Sequence, residues 1–199
     1  MKYTVTIDDL KQINDRRGIP ALLNKMQAET ICEIGVKEGA HLNSLLTASS
    51  IKKAVAIDIW AETGVRSQND DSYEQTRLDG IYNQMKQLEA RDKRVQVIKD
   101  FSPGVAAQFA DDYFDFVYID ADHTESAVYT DLCAWWSKVR PGGVLAGHDY
   151  CDMVLRCPDG SEVTFGVIPA VNRFITEMAL SLHVDNEHPW RDWFIPKPV

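Results

Sequence analysis

FVYIDADHTES, residues 116–126, carries four apolar or aromatic residues, Phe116 to Ile119, straight into Asp120, Asp122 and His123. Carboxylates and an imidazole are costly to bury without partners. Either the run ends at a solvated edge or something cationic meets these groups there. Four further runs of the same kind flank it: TICEIGV (30–36), AVAIDIW (54–60), VQVIKD (95–100) and VLAGHDY (144–150), with FDFVYID (114–120) as the fourth in order. Short, nearly continuous apolar runs are the pattern of strands covered on both faces.

Helical segments alternate with these strands. AHLNSLLTA follows Gly39, a second helix runs through IYNQMKQLEA, and SPGVAAQFA is a short third. SAVYTDLCAWWSKV sets Val128, Leu132 and Trp135 at helical spacing and breaks at Pro141-Gly142-Gly143. At the N-terminus, IDDLKQINDRRG and IPALLNKMQ read as helices, the first stopping near Gly18. Beyond the fifth strand, CDMVLRCPDGSEVTFG reads as a hairpin turning at Pro158-Asp159-Gly160. IPAVNRFITEMA is a helix with Pro near its start, and LHVDN with DWFIP forms a closing antiparallel pair. The alternation predicts an α/β protein: a single doubly wound domain, its sheet mostly parallel with a C-terminal antiparallel hairpin. Its parts are N-terminal helices (1–28), a ligand-binding core (30–150), an inserted hairpin (151–166) and a closing helix and hairpin (167–199).

The totals agree with one domain. The chain has 199 residues, 45% of them hydrophobic, enough for a sizeable core. Its net charge of −9 leaves no basic surplus for a nucleic-acid backbone as main partner. No apolar run is long enough to span a bilayer, and MKYTVTIDDLKQ lacks the apolar centre of a signal peptide, so a cytoplasmic protein with no membrane partner is expected. The Trp135-Trp136 pair reads as helix packing, with Trp136 available to an interface, and a homo-oligomer is left open. Cys151 and Cys157 are close enough to pair or to bind metal with His148. Without a CxxC, free thiols are the stronger expectation for all four cysteines.

In a doubly wound sheet, ligands bind beyond the carboxyl ends of the strands. Those ends read Glu33-Ile34-Gly35, Asp58-Ile59-Trp60, Asp100-Phe101-Ser102, Asp120-Ala121-Asp122-His123 and Gly147-His148-Asp149. The acids of residues 116–126 therefore sit where the sheet opens onto a crevice. EIGVKEGA places Gly35 and Gly39 around the first strand-to-helix turn, where glycine permits close backbone approach by a ligand. Lys37 and Ala40 occupy the positions at which a dinucleotide fingerprint needs glycine, and no G-K-[S/T] follows for a P-loop. The remaining acid-x-Gly-x-x-x-Gly suits a nucleoside without phosphate. Asp58, at the tip of the second strand, can accept hydrogen bonds from both ribose hydroxyls.

From about Thr30 to the final hairpin the chain resembles the class I S-adenosylmethionine-dependent methyltransferases. It is most similar to the small O-methyltransferases that include the macrolide sugar O-methyltransferases and the cephalosporin hydroxylase-like proteins. The resemblance rests on ICEIGVKEG, AVAIDIW, FVYIDADH, DLCAWWSKVRPGG and VLAGHDY, the last three in order and spacing being the specific part. It implies a Rossmann-like methyltransferase fold with S-adenosylmethionine as cofactor. On this resemblance Glu33, Gly35 and Gly39 line the methionine moiety, Asp58 holds the ribose, and Ile59, Trp60 and Phe101 flank the adenine. Asp120 lies under the sulfonium and the acceptor. Asp100 departs from the pattern, standing where relatives often carry a small residue. The Asn/Asp-Pro-Pro-aromatic tetrapeptide of enzymes that methylate nucleobase amino groups is replaced by Asp120-Ala121-Asp122-His123, which disfavours that role.

Methyl transfer from a sulfonium needs a positioned and sufficiently nucleophilic acceptor. A hydroxyl acceptor needs a base or a metal ion to lower its pKa. Asp120, His148 and Asp149, from neighbouring strand ends, are the metal candidates. The imidazole in place of an oxygen ligand gives room for Mn²⁺ beside Mg²⁺. Asp120, His123 and His148 are the catalytic candidates, with His123 as general base because its free pKa lies near neutrality. A loop-ordering imidazole is the competing reading for His123, and an N-cap is the favoured one for Asp122. The partner is then a small hydroxylated acceptor, a saccharide among the candidates. Its walls are sought in WAETGVRSQNDDSYEQ, with Trp60 and Tyr73, and in the 151–166 hairpin. An ordinary solvated lid explains the first of these equally well. Two other functions stay open: a relative with the same cofactor fold and another reaction, and a binding protein with a vestigial pocket. The intact set of Glu33, Gly35, Gly39 and Asp58 argues against the last.

Overall fold

Five parallel strands carry the molecule: β1 (Thr30–Ile34), β2 (Lys53–Asp58), β3 (Val95–Lys99), β4 (Phe114–Ile119) and β5 (Val139–Gly147). The computed structural model describes residues 2–62, 74–156, 160, 162–186 and 189–199. Two short strands, β6 (Val154–Arg156) and β7 (Glu162–Thr164), pair with each other as the inserted hairpin. The last two, β8 (His183–Val184) and β9 (Trp193–Pro196), extend the main sheet, with β9 antiparallel to both β5 and β8. Sheet order is β3-β2-β1-β4-β5-β9-β8, so the order reverses between β1 and β4. That reversal is where a doubly wound sheet opens a crevice at its carboxyl edge.

Alternation along the strands builds two cores. Ile31, Ala54, Ala56, Phe116, Tyr118, Val144 and Ala146 face one side. There they meet α1 (Ile7–Leu10), α2 (Ile19–Lys25), α3 (Ala40–Leu45) and α4 (Gln75–Arg91) through Leu10, Leu23, Leu42, Leu45 and Met85. Cys32, Val55, Ile57, Val117, Ile119 and Leu145 face the other side. They are covered by α5 (Ser102–Ala106), α6 (Glu125–Trp136) and α7 (Val167–Glu177) through Val105, Leu132, Trp135 and Phe174. Period-2 placement of buried side chains on both faces is what keeps a parallel sheet covered.

Three boundaries differ from the sequence reading. The first helix ends at Leu10 instead of near Gly18, and a short 3₁₀ turn covers Arg16–Gly18. Thr6 and Asp9 form a reciprocal capping box at its start, while Asp15 accepts a hydrogen bond from Arg17 N and starts the separate turn. β2 ends at Asp58, so Ile59 and Trp60 lie beyond it. β5 begins at Val139, not Val144: the Pro-Gly-Gly segment continues the strand through a register shift against β4. Buried Asp115 anchors this corner. Its carboxylate accepts from Lys2 Nζ, Arg140 Nε and the backbone N–H groups of Glu29 and Thr30.

The hairpin over 151–166 and the closing antiparallel pair form as expected. Its turn at 157–159 lies outside the described residues, as do Cys157, Tyr73 and most of the polar segment after β2. Cys32, Cys133 and Cys151 are free thiols. Among the described residues no helix is long and apolar enough to cross a membrane.

Candidate functional site

At the tip of β1 the chain turns through Gly35, whose φ is +81°. A Cβ there would lie 1.9 Å from Asp120 O, and Asp120 N donates to Ile34 O at 2.8 Å. The ends of β1 and β4 thus meet backbone to backbone, which no side chain at position 35 would permit. Gly39 has φ +77° and starts α3, with Met85 Sδ 2.8 Å from where its Cβ would stand.

Asp58 closes this turn from β2. Its Oδ2 accepts from Lys37 N at 2.9 Å and its Oδ1 from Trp60 N at 2.8 Å. Burial raises its pKa against the opposing pull of these amide bonds. Each oxygen keeps a lone pair for a further donor. Trp60 corrects the expectation placed on it. With φ at +37° its indole turns into the core, tilted 5.2 Å from Tyr82, and its Nε1–H donates to Lys37 O at 3.1 Å. It braces the glycine turn and offers no free face to an adenine. Phe101, at the tip of β3, is 66% exposed and does offer one. Ile59 is half-buried beside Asp58.

Beyond β4 and β5 the acids and histidines converge. His123 Nε2 lies 2.9 Å from Asp149 Oδ2 and 3.5 Å from Asp120 Oδ1. His148 Nδ1 lies 3.1 Å from Asp149 Oδ1 and 3.8 Å from Asp120 Oδ2. Burial alone would lower the pKa of His123, but the carboxylates of Asp120 and Asp149 outweigh it and lift the value to about 9. Burial likewise opposes the rise at His148, which Asp149 and Asp120 cause. Asp149, which burial would raise, is held well below the usual carboxylate range by the two imidazoles. Its φ of +58° is a left-handed conformation, uncommon for Asp and of the kind that collects at functional sites.

One ligand atom each from Asp120, His123 and Asp149 lies within 4.8 Å of the other two. His123 Nε2 is buried without a hydrogen bond, although Asp149 Oδ2 lies 2.9 Å away. Two carboxylates and an orphaned imidazole nitrogen are a donor set that fits a divalent ion of intermediate hardness. His123, expected as the base, takes the third corner of this set. His148, expected both as a ligand and as a catalytic group, approaches the other oxygen of each of the same two carboxylates. Asp122 is not the N-cap, a position held by Thr124; its Oδ1 accepts from Thr124 N at 2.8 Å and orders the loop.

The sequence reading missed a second tier. Arg16 Nη2 reaches Tyr118 Oη at 3.3 Å, Asp192 Oδ1 at 3.5 Å and Asp120 Oδ2 at 4.0 Å. Tyr118 Oη donates to Asp192 Oδ1 at 2.6 Å, and His148 Nε2 stands 3.8 Å from the same oxygen. Burial, then Asp192 and Asp120, push the Tyr118 phenol well above its ordinary value. Glu33 is buried with Oε1 3.6 Å from His41 Nδ1, and burial raises its pKa over the opposing effect of His41. Glu33 Oε2 and both His41 nitrogens have no hydrogen-bond partner. Arg16 lies in the N-terminal segment and Asp192 in the closing hairpin, outside the strand–helix alternation. The acid immediately before the apolar run WFIP was the one sequence signal for Asp192.

The hairpin is fastened to this loop. Gly166 N donates to His123 O at 2.7 Å, and a Cβ at Gly166 would fall 2.1 Å from Glu125 N. The Phe165 ring lies 4.5 Å from that of His123.

The same architecture recurs in solved structures. The chain is similar to spermidine synthase from Thermotoga maritima (15% identity, TM-score 0.58, 92% of this chain and 59% of that one). It is similar to the Burkholderia thailandensis 1,6-didemethyltoxoflavin-N1-methyltransferase with bound S-adenosylhomocysteine (13%, TM-score 0.60, 96% and 82%). A protein from Klebsiella pneumoniae, provisionally described as an O-methyltransferase, aligns at 17% with a TM-score of 0.60 over 98% and 82%. At these identities the likeness is one of fold. An uncharacterized protein of Acanthamoeba polyphaga mimivirus is 24% identical over 149 residues, 75% of this chain, which spans 60% of that protein's length. The family model described as "Methyltransferase domain" matches residues 32–150. That span holds the glycine turn, Asp58 and the Asp120–His123–Asp149 cluster, and the chain belongs to this methyltransferase-domain family, with the class I S-adenosylmethionine-dependent methyltransferase fold.

Proposed function

We propose that the protein transfers the methyl group of S-adenosylmethionine to a hydroxyl of a small acceptor, a saccharide among the candidates. The observation that carries this reading is the contact of two half-sites. The Gly35 turn, with Asp58 beside it, touches the backbone of Asp120, and Asp120 opens the Asp120–His123–Asp149 cluster. A nucleoside held on the turn brings its sulfonium next to groups that accept protons and orient hydroxyls.

Asp58 would take the ribose hydroxyls on its free lone pairs, its position fixed by the Lys37 and Trp60 amides. The exposed Phe101 ring would cover the adenine. Glu33, with an unpartnered oxygen, would accept from the methionine ammonium. Asp120, His123 and Asp149 would hold a divalent ion such as Mn²⁺ or Mg²⁺. When bound, such an ion lowers the pKa of the acceptor hydroxyl. His123, lifted to about 9, carries a proton at neutral pH in the metal-free protein, so it is no ready base there, and an ion held at its Nε2 would displace that proton. In the transfer, the C–O bond forms as the C–S bond breaks, sulfur keeps the electron pair, and the hydroxyl proton leaves to water.

Calorimetric titration with S-adenosylhomocysteine, with and without Mn²⁺, tests the first half. Micromolar binding supports the cofactor, and a radiolabelled methyl assay against hydroxylated acceptors then tests the reaction. No binding under either condition refutes the reading.

A further inference from the structure

We propose that Asp131 is a positioning residue for the cofactor's adenine: it fixes Ser102 at the start of α5 and, through it, the exposed ring of Phe101. This rests on the reading of S-adenosylmethionine as methyl donor and names a residue that acts on that site from beneath it. Asp131 and Trp135 stand four residues apart on α6 and aim at one hydroxyl. Trp135 Nε1 donates to Ser102 Oγ at 2.8 Å, and Ser102 Oγ donates to Asp131 Oδ1 at 2.6 Å. An indole N–H can only donate, so the hydroxyl directs its own proton to the carboxylate. All three residues are buried.

Ser102 is the first residue of α5, and Phe101 is the N-cap before it. The Phe101 carbonyl accepts from Gly104 N at 3.0 Å and Val105 N at 3.2 Å, and its own N–H donates to Asp100 Oδ1 at 2.7 Å. Asp100 N in turn donates to Asp58 O at 3.2 Å, which sets the ring beside the residue read as the ribose holder. Phe101 thus rises into solvent from a backbone pinned on one side to β2 and on the other by the Ser102 anchor. A ring held in place before binding loses little freedom when an adenine stacks on it. The anchor depends on charge. Burial, opposed by the Ser102 hydrogen bond and helped by Asp122, raises the Asp131 pKa to about 6. Asp122 of the loop after β4 and the Cys32 thiol of β1 are the titratable groups that face it. Burial keeps that thiol protonated, and among the described residues no cation pairs with Asp131. The bond from Ser102 to the ionised carboxylate is charge-assisted, and protonation reduces it to a neutral one about half as strong. Adenine binding therefore favours the ionised acid, and affinity falls as pH drops through about 6.

Calorimetric titration of the full chain with S-adenosylhomocysteine, in Mn²⁺-free buffer from about pH 7.5 down to about pH 5, provides the test. Wild-type affinity should weaken about fivefold or more over that range. Asp131→Asn mimics the neutral acid. It should bind at the upper pH as weakly as the wild type does at the lower one, with that step gone from its profile. In a Phe101→Ala background, Asp131→Asn should lose no further affinity, because both changes remove the same contact. Ser102→Ala repeats the comparison should Asp131→Asn fail to fold, with the same loss and the same missing step expected. Thermal melts at both ends of the range check that each protein is folded. Wild-type affinity in the variant, a step that survives in it, or losses from Phe101→Ala and Asp131→Asn that multiply would each overturn the proposal. With S-adenosylhomocysteine still bound by the wild type, any of those results refutes the role of Asp131 alone and leaves the methyl-transfer reading standing. A wild type that binds at no pH refutes both.

Discussion

His123 and Asp149 approach to 2.9 Å across the gap between the β4 loop and the end of β5, and together they set each other's charge. The histidine pKa is raised in the folded protein to about 9 from its ordinary value of about 6.5. The stabilisation from this contact is therefore fully present below about pH 6.5 and lost as pH rises through about 9. Thermal melts of the metal-free protein should show a falling Tm across that window. Asp149→Asn should flatten the fall; an identical slope in the variant would remove the pair as its cause.

A divalent ion competes with the proton at His123 Nε2. Mn²⁺ should raise the Tm of the wild type at pH 7.5 and leave His123→Ala unmoved, because binding to the native state alone stabilises it. Equal shifts in both proteins would place the ion elsewhere.

Asp115 shows the opposite pH sign. Burial would raise its pKa, but Arg140, Lys2 and two backbone amides outweigh it and lower the value. Its contribution is present above the unfolded carboxyl value of about 3.9 and is lost as pH falls below that towards the folded pKa. Asp115→Asn should cost about 3 kcal/mol at pH 7, measured by urea unfolding, because Arg140 and Lys2 then lose a part-buried counter-charge. It should cost much less at pH 3.

Asp58→Ala should weaken S-adenosylhomocysteine binding about tenfold or more, the usual loss for a hydrogen bond to a charged group. The same change frees the Lys37 and Trp60 amides, so a lower Tm should accompany it. Wild-type affinity in the variant would take Asp58 out of the ribose site.

Gly35→Ala should destabilise the fold by about 3 kcal/mol or more, from the left-handed backbone and the collision with Asp120 O. Urea unfolding reads it directly. A near-neutral result would mean that the β1 and β4 tips can separate.

Much of the fold was legible because each buried strand announces itself as an apolar run and each crossing helix as a 3.6-residue pattern. All five parallel strands and the closing pair sit where those patterns fall. The site was half legible, since acids at strand tips can be read from a linear chain. Trp60 could not be, because a single left-handed residue turns its ring into the core. Arg16 and Asp192 were hidden for another reason: long-range packing brings them to Tyr118, and neither carries any periodic signal of its own. That His123 joins Asp120 and Asp149 within one ligand sphere was hidden as well, because the orientation of a ring depends on the loop around it.

The backbone contact between Gly35 and Asp120 divides the protein into parts that can and cannot drift. With no side chain between the two strand tips, the spacing from the glycine turn to the acid cluster is set by main-chain atoms. The hairpin, by contrast, touches the cluster through the Gly166–His123 main-chain bond and the Phe165 ring face. Substitutions in the hairpin can therefore reshape the approach to the acid cluster without moving the main-chain contact that holds the glycine turn against Asp120.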